Sequence, residues 1–232
     1  MINRNIFIVI FLSLVCRIFA ILFYGDQSLS AEEANEWGVI YENLKNYGTM
    51  SWFGHENIKY PTVFMPPLYV FYIYSLSFIT EKYLVDLILY TQCIISVFSS
   101  ILFYNICKYF FDKKISYIGL ILFTFYPIYI YAASQISSIN IVILINLFFI
   151  FSILKFRNYI LIGIIGGIGL LSRGEFILLY IVSLFYLFWV YQFSIKKIFL
   201  VCVISFFVVS PYLYRNYITF NKVVITNSSG YV

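Results

Sequence analysis

Eight apolar stretches, near residues 5–24, 65–80, 84–106, 115–132, 137–154, 159–172, 175–193 and 197–214, divide this chain and leave little polar sequence between them. A helix needs roughly 20 apolar residues, within about 17–25, to cross the hydrocarbon core of a bilayer. Most of the stretches reach that length. Two are short: 65–80, which opens on Pro66-Pro67, and the glycine-rich 159–172. A succession of such runs excludes a water-soluble globule. Composition agrees, with 62% hydrophobic and 11% charged residues, against about 25% charged in soluble domains. The expected fold is all-α and integral to a membrane. The first run follows a basic residue, Arg4, as a signal peptide would. No small-x-small cleavage site follows in Phe23-Tyr24-Gly25-Asp26, so it reads as a retained helix.

Charge position sets the expected orientation. The net charge is +5, but the basic residues lie in short clusters between apolar runs rather than along a stripe, which argues against nucleic acid. The clusters are Lys108/Lys113/Lys114, Lys155/Arg157 and Lys196/Lys197. Lys and Arg are held on the cytoplasmic side of membrane proteins. If 65–80 does not cross but lies in the first loop as a juxtamembrane or re-entrant helix, Arg4 and all three clusters fall inside. If it does cross, all three clusters fall outside. The charge rule therefore selects about seven spans, with the amino terminus cytoplasmic and the carboxyl terminus outside.

This arrangement leaves a first extracytoplasmic loop from Gly25 to Tyr83, which holds seven of the ten acids and two of the three tryptophans. Connections are usually a few residues long, and one of this length is functional or disordered. Helical periodicity over Glu33–Leu44 and abundant aromatics favour an ordered loop. Ser30 followed by Glu33 reads as a capping box opening that helix.

Several motifs then occur in a familiar order. Glu33-Ala34-Asn35-Glu36-Trp37-Gly38-Val39-Ile40-Tyr41-Glu42-Asn43-Leu44 with Gly48 is similar to the first-loop motif of GT-C glycosyltransferases. The closest branch contains the protein mannosyltransferases, the lipid A aminoarabinose transferases and their bacterial relatives. Pro66-Pro67-Leu68-Tyr69 resembles that family's proline-proline-leucine-tyrosine element, and Tyr126-Pro127 closes a span as the family does. Gly163 with Gly167-Ile168-Gly169-Leu170-Leu171-Ser172-Arg173 is similar to its glycine-rich helix ending in Ser/Thr-Arg. Ser210-Pro211-Tyr212-Leu213-Tyr214-Arg215-Asn216-Tyr217 resembles its Pro-Trp-x-x-Arg-Asn-Tyr element. Two departures stand out: the leading acid is Glu33 where Asp is common, and Gln135-Ile136-Ser137-Ser138 carries no acid where the family often has Glu.

The resemblance implies a single membrane module over 1–232, with seven helices and the active site in the loop 25–83. The carboxyl-terminal part of the family fold is expected to be absent. It implies transfer of a sugar from a polyprenyl-phosphate donor to a glycan, lipid or protein acceptor at the outer face of a bacterial plasma membrane. A carboxylate is needed to take the acceptor proton. Glu33 is expected in that role, with Glu32 its competitor one residue away. The leaving lipid phosphate needs cations aimed at its oxygens. Arg173 and Arg215, at helix ends that break the positive-inside pattern, are expected to bind it, and Tyr69 is grouped with these substrate-binding residues. No cofactor is called for. A divalent cation is not indicated, because hard cations take several oxygen ligands and this loop offers one acid cluster.

The remaining features read as structural. Arg17, about two-thirds along the first helix, is expected to snorkel outward. Glu36 and Glu42 are expected on an exposed helix face, and His55 as packing or surface. Gly163 and Gly167 form a G-x-x-x-G spacing that lets helices approach closely in lipid. Cys16, Cys93, Cys107 and Cys202 lie in or beside apolar runs without metal-ligand spacing. Two other readings stay open: a transporter of lipid-linked substrates, and a non-catalytic truncated relative. Against the first, only Arg17 lies within a span and no helical repeat is visible.

Overall fold

The computed structural model describes residues 4–25, 27–29, 35–52 and 60–225. They fold into ten α-helices and one two-stranded ribbon. By contacts the chain forms two compact units, Met1–Gln27 with Thr80–Lys155 and Ser28–Ile79 with Phe156–Val232.

The first unit contains α1 (Arg4–Tyr24), α4 (Leu84–Phe110), α5 (Lys113–Thr124), α6 (Pro127–Ala132) and α7 (Ile139–Phe151). α4 touches α1, α5 and α7. Val9, Tyr104 and Leu120 form a small core shared by α1, α4 and α5. The expected span 115–132 is interrupted: α5 stops at Thr124 and α6 restarts at Pro127. Pro127 has no N–H to give to Phe123, and its ring forces Tyr126 out of the helical region, to φ −63° and ψ 119°. α7 runs on into a π-helical turn, Ser152–Phe156.

Arg17 does not snorkel. Its side chain is fully buried. The Nε–H donates to Ser96 Oγ on α4 at 2.9 Å, and Nη1 donates to the Ser13 hydroxyl and carbonyl one turn back on α1. The hydroxyls at positions 13 and 96 hold Nε and Nη1 inside the protein, while Nη2 is buried with no hydrogen-bond partner among the described residues. Gln92 is buried as well and donates to the Gln135 carbonyl at 3.1 Å. Gln135, where the family often has an acid, donates its side-chain amide to the Tyr24 carbonyl at 3.1 Å.

The second unit contains α2 (Glu36–Tyr47), the antiparallel strands β1 (Ser51–Trp52) and β2 (Tyr60–Pro61), α3 (Pro67–Ser77), α8 (Tyr159–Ser172), α9 (Phe176–Trp189) and α10 (Ile195–Phe220). α8 and α10 make its most extensive interface. A Cβ on Gly163 would sit 2.8 Å from Ile204 Cβ, and one on Gly167 2.5 Å from Val208 Cβ. The G-x-x-x-G spacing thus marks a true close-approach seam. It is pinned by Tyr180 Oη donating to Ser205 Oγ at 2.8 Å and Ser205 donating to the Gly163 carbonyl at 2.8 Å.

Four described helices are long and apolar enough to cross a membrane: α1, α4, α7 with its π turn, and α10. α8 and α9 are apolar but have 14 residues each, about 21 Å at 1.5 Å per residue. The second of these is shorter than the expected 175–193. α3, at 11 residues, is shorter still. The fold is that of an all-α membrane protein.

Candidate functional site

Glu32 and Glu33, with Ser30, His55 and Glu56, lie outside the described residues. The chain from Asn35 onward departs from the expected helix. α2 begins at Glu36, because Asn35 takes an extended conformation and caps it. Asn35 Oδ1 accepts from Trp37 N and Gly38 N, both at 3.1 Å, and its amide donates to the Ser28 carbonyl at 3.0 Å. These bonds satisfy two of the donors a helix start leaves open. Gly38 then passes so close to the Leu29 backbone that no side chain fits there. Glu36 is exposed and Glu42 half-buried. α2 ends at Gly48, at φ 68°.

From Gly48 the chain turns into the β1–β2 ribbon. Asn43, buried on α2, donates to the Ser51 carbonyl at 2.9 Å, and Thr62 N donates to the Met50 carbonyl at 2.9 Å. Arg215 closes the arrangement from α10. Its Nη2 donates to the Met50 carbonyl at 2.7 Å, and its Nη1 to the Thr62 carbonyl at 3.0 Å and to Asn216 Oδ1 at 2.8 Å. The sequence pattern places Arg215 at a helix end. Here the helix continues to Phe220, and the guanidinium straps the two ends of the ribbon to α10.

Tyr69 is 2% exposed, edge-on to Trp37 at 4.7 Å and stacked on Tyr72 at 5.6 Å. It joins α3 to α2, with Pro67 occupying the first turn of α3. Nearby, Ile40, Met50, Val70 and Tyr212 form a core under the ribbon. Arg173 caps the end of α8 and is 44% exposed, with Nε 3.8 Å from the more exposed Glu175 carboxylate. An exposed pair of that kind adds little stability and leaves the cation available.

A cavity of about 450 Å³ opens among these elements. Met50, Pro61, Phe71, Leu171, Tyr212 and Arg215 contribute to its walls. An apolar wall with one guanidinium suits an amphiphile whose polar end is anionic. The structure therefore brings together α2, Tyr69 and Arg215, and puts Arg215 at this cavity. Asn35, Gly38, Asn43 and Tyr212 were not singled out from sequence as site residues. An Asn just ahead of an amphipathic run is a recognisable helix start. Gly38 and Asn43 depend on close contacts with Leu29 and Ser51 that no pattern marks, and Tyr212 on elements distant in the chain.

The second unit thus sets a polar, aromatic-rich loop segment beside an apolar cavity among apolar helices. The chain matches the family of dolichyl-phosphate-mannose-protein mannosyltransferases over residues 65–214 and belongs to it; it is a membrane glycosyltransferase of the GT-C type. The match includes the Pro66-Pro67-Leu68-Tyr69, Tyr126-Pro127 and Gly163–Arg173 motifs, and begins after α2. No curated protein and no solved structure matches the chain.

Proposed function

We propose that this glycosyltransferase moves a sugar from a polyprenyl-phosphate donor to an acceptor hydroxyl at the outer face of a plasma membrane. Membership of the mannosyltransferase family over residues 65–214 carries this reading. In the proposed step the acceptor oxygen attacks the anomeric carbon, and the bond from that carbon to the phosphate oxygen breaks. The acceptor proton passes to the Glu33 carboxylate, and the polyprenyl phosphate leaves as the anion. Arg173, exposed at the end of α8, is assigned to the departing phosphate. Arg215 adds positive potential at the cavity while it holds the ribbon. Tyr69 keeps Trp37 and α2 in place. The seven-span orientation, with Arg4 and the three basic clusters cytoplasmic, belongs to the same proposal, as does the single module over 1–232 with its active site in the loop 25–83.

The test is sugar transfer from a polyprenyl-phosphate donor in isolated membranes, comparing wild type with Glu33→Gln and Glu32→Gln. Loss at Glu33 alone, at normal expression, supports the assignment. Loss at Glu32 alone moves the base by one residue. Wild-type membranes with no transfer above background would overturn the enzymatic reading of this chain.

A further inference from the structure

The first unit carries a second cavity, of about 300 Å³, whose lining differs from that of the cavity beside Arg215. It lies where α1 begins, α4 ends and α5 begins. α1 and α4 run antiparallel, with Arg17 meeting Ser96 and Val9 sharing a core with Tyr104, so these three termini converge. Ile6, Tyr104 and Tyr117 belong to that packed core and form the apolar floor, while Asn5, Lys113 and Lys114 form the rim.

Charge at this end is predominantly positive, with Arg4, Lys108, Lys113 and Lys114 against Asp112. Lys108 lies over the Tyr104 ring at 5.6 Å, and Arg4 precedes Asn5 in the chain. The acid in these segments, Asp112, is engaged as the cap of α5, its Oδ1 accepting from Ile115 N at 2.8 Å. Among the described residues none of Arg4, Lys108, Lys113 and Lys114 is ion-paired. The Asp112 carboxylate sits at the start of the 12-residue α5 and offsets its positive dipole end, so the positive field here comes from the lysines and Arg4. Outward of the rim the helices turn apolar side chains to the surroundings: Phe7 and Phe11 on α1, Ile115, Ile118 and Leu122 on α5. A polar, cationic recess continuing into an apolar seam is complementary to a phosphate carrying acyl chains.

We infer that this recess binds the headgroup phosphate of an anionic membrane phospholipid, with Lys113 and Lys114 as its ligands and the α1–α5 face as the seat of the chains. The inference does not depend on the sugar-transfer reading. A cavity at the lower end of the usual ligand range, about 300–1,000 Å³, admits a headgroup. Each lysine near an anionic surface contributes about fivefold in affinity.

The experiment is native mass spectrometry of the full chain in detergent, titrated with phosphatidylglycerol, with phosphatidylcholine of the same acyl chains, and with inorganic phosphate. The variants are Lys113→Gln/Lys114→Gln and, as a basic pair elsewhere, Lys196→Gln/Lys197→Gln. Wild type is expected to prefer phosphatidylglycerol, and the 113/114 pair to bind it about thirtyfold more weakly, with the 196/197 pair unchanged. Equal binding of both lipids overturns the proposal. So does an equal loss in the 196/197 pair, which means diffuse charge. Saturation by inorganic phosphate without lipid preference overturns it in favour of a soluble anion.

Discussion

Arg17 on α1 and Ser96 on α4 are joined by a 2.9 Å hydrogen bond between two buried side chains. A cation in a membrane span is costly and is usually kept for a purpose. Here the purpose visible in the structure is to register α1 against α4.

Removing one partner of that bond is predicted to hurt more than replacing the cation. Ser96→Ala leaves a buried charged donor unmatched and should cost about 1–3 kcal/mol. Arg17→Met exchanges the charge for an apolar chain of similar length and should be near neutral or stabilising. Thermal unfolding in detergent separates the two. A Ser96→Ala protein as stable as wild type would remove the registering role.

The two glycine environments predict opposite signs. Gly167→Ala forces α8 off Val208 and should destabilise by about 1–3 kcal/mol. At Gly119 an added Cβ meets Cys107 Sγ at 3.5 Å, an ordinary contact. Gly119→Ala should therefore gain about 0.5–1 kcal/mol from helix propensity. The same melting measurement serves, and a stabilised Gly167→Ala would count against the seam.

Arg215 is predicted to act through the ribbon. Arg215→Lys cannot reach both Met50 and Thr62 carbonyls with a fork, so hydrogen exchange at the Thr62 amide, which donates to the Met50 carbonyl, should quicken as transfer falls. If transfer fell with the Thr62 amide still protected, a direct substrate contact would replace the strapping role.

Asn35→Ala should weaken the start of α2 by about 1 kcal/mol, and Asn35→Ser should largely preserve it. Faster hydrogen exchange at the Trp37 and Gly38 amides is the readout. An unaltered exchange rate in the alanine variant would show that packing of Trp37 on Tyr69 is sufficient.

The sequence is most readable where one physical requirement dominates. Long apolar runs have few alternatives in lipid, so α1, α4 and α10 lie close to where hydropathy puts them. Gly163 and Gly167 mark a close approach because nothing but a missing side chain lets backbones meet in that way. The break at Pro127 is visible as a motif, yet its effect on the span is not, since an apolar run looks continuous whichever way its hydrogen bonds go. Arg17 is buried rather than snorkelling because its partner Ser96 is 79 residues away, and a lone charge in a helix offers no sign of which hydroxyl it meets. The helix expected at Glu33–Leu44 is present, but it starts three residues later, at Glu36. Asn35 competes for the backbone locally in a way that periodicity does not register. Arg215 is recognisable as unusual for its side of the membrane, but its carbonyl acceptors carry no sequence signature at all.

Pro211 interrupts the ladder of α10, and the carbonyl of Phe207 that it leaves open accepts instead from Ser210 Oγ at 2.9 Å. The interruption falls between Val208, seated on Gly167, and Arg215, strapped to the ribbon. The helix is thereby two levers joined at one pivot. The arm before Pro211 is clamped against α8 at Ile204 and Val208, and the arm after it holds the ribbon through Arg215. One wall of the cavity therefore spans the division, with Val208 on the clamped side and Tyr212 and Arg215 on the side that holds the ribbon.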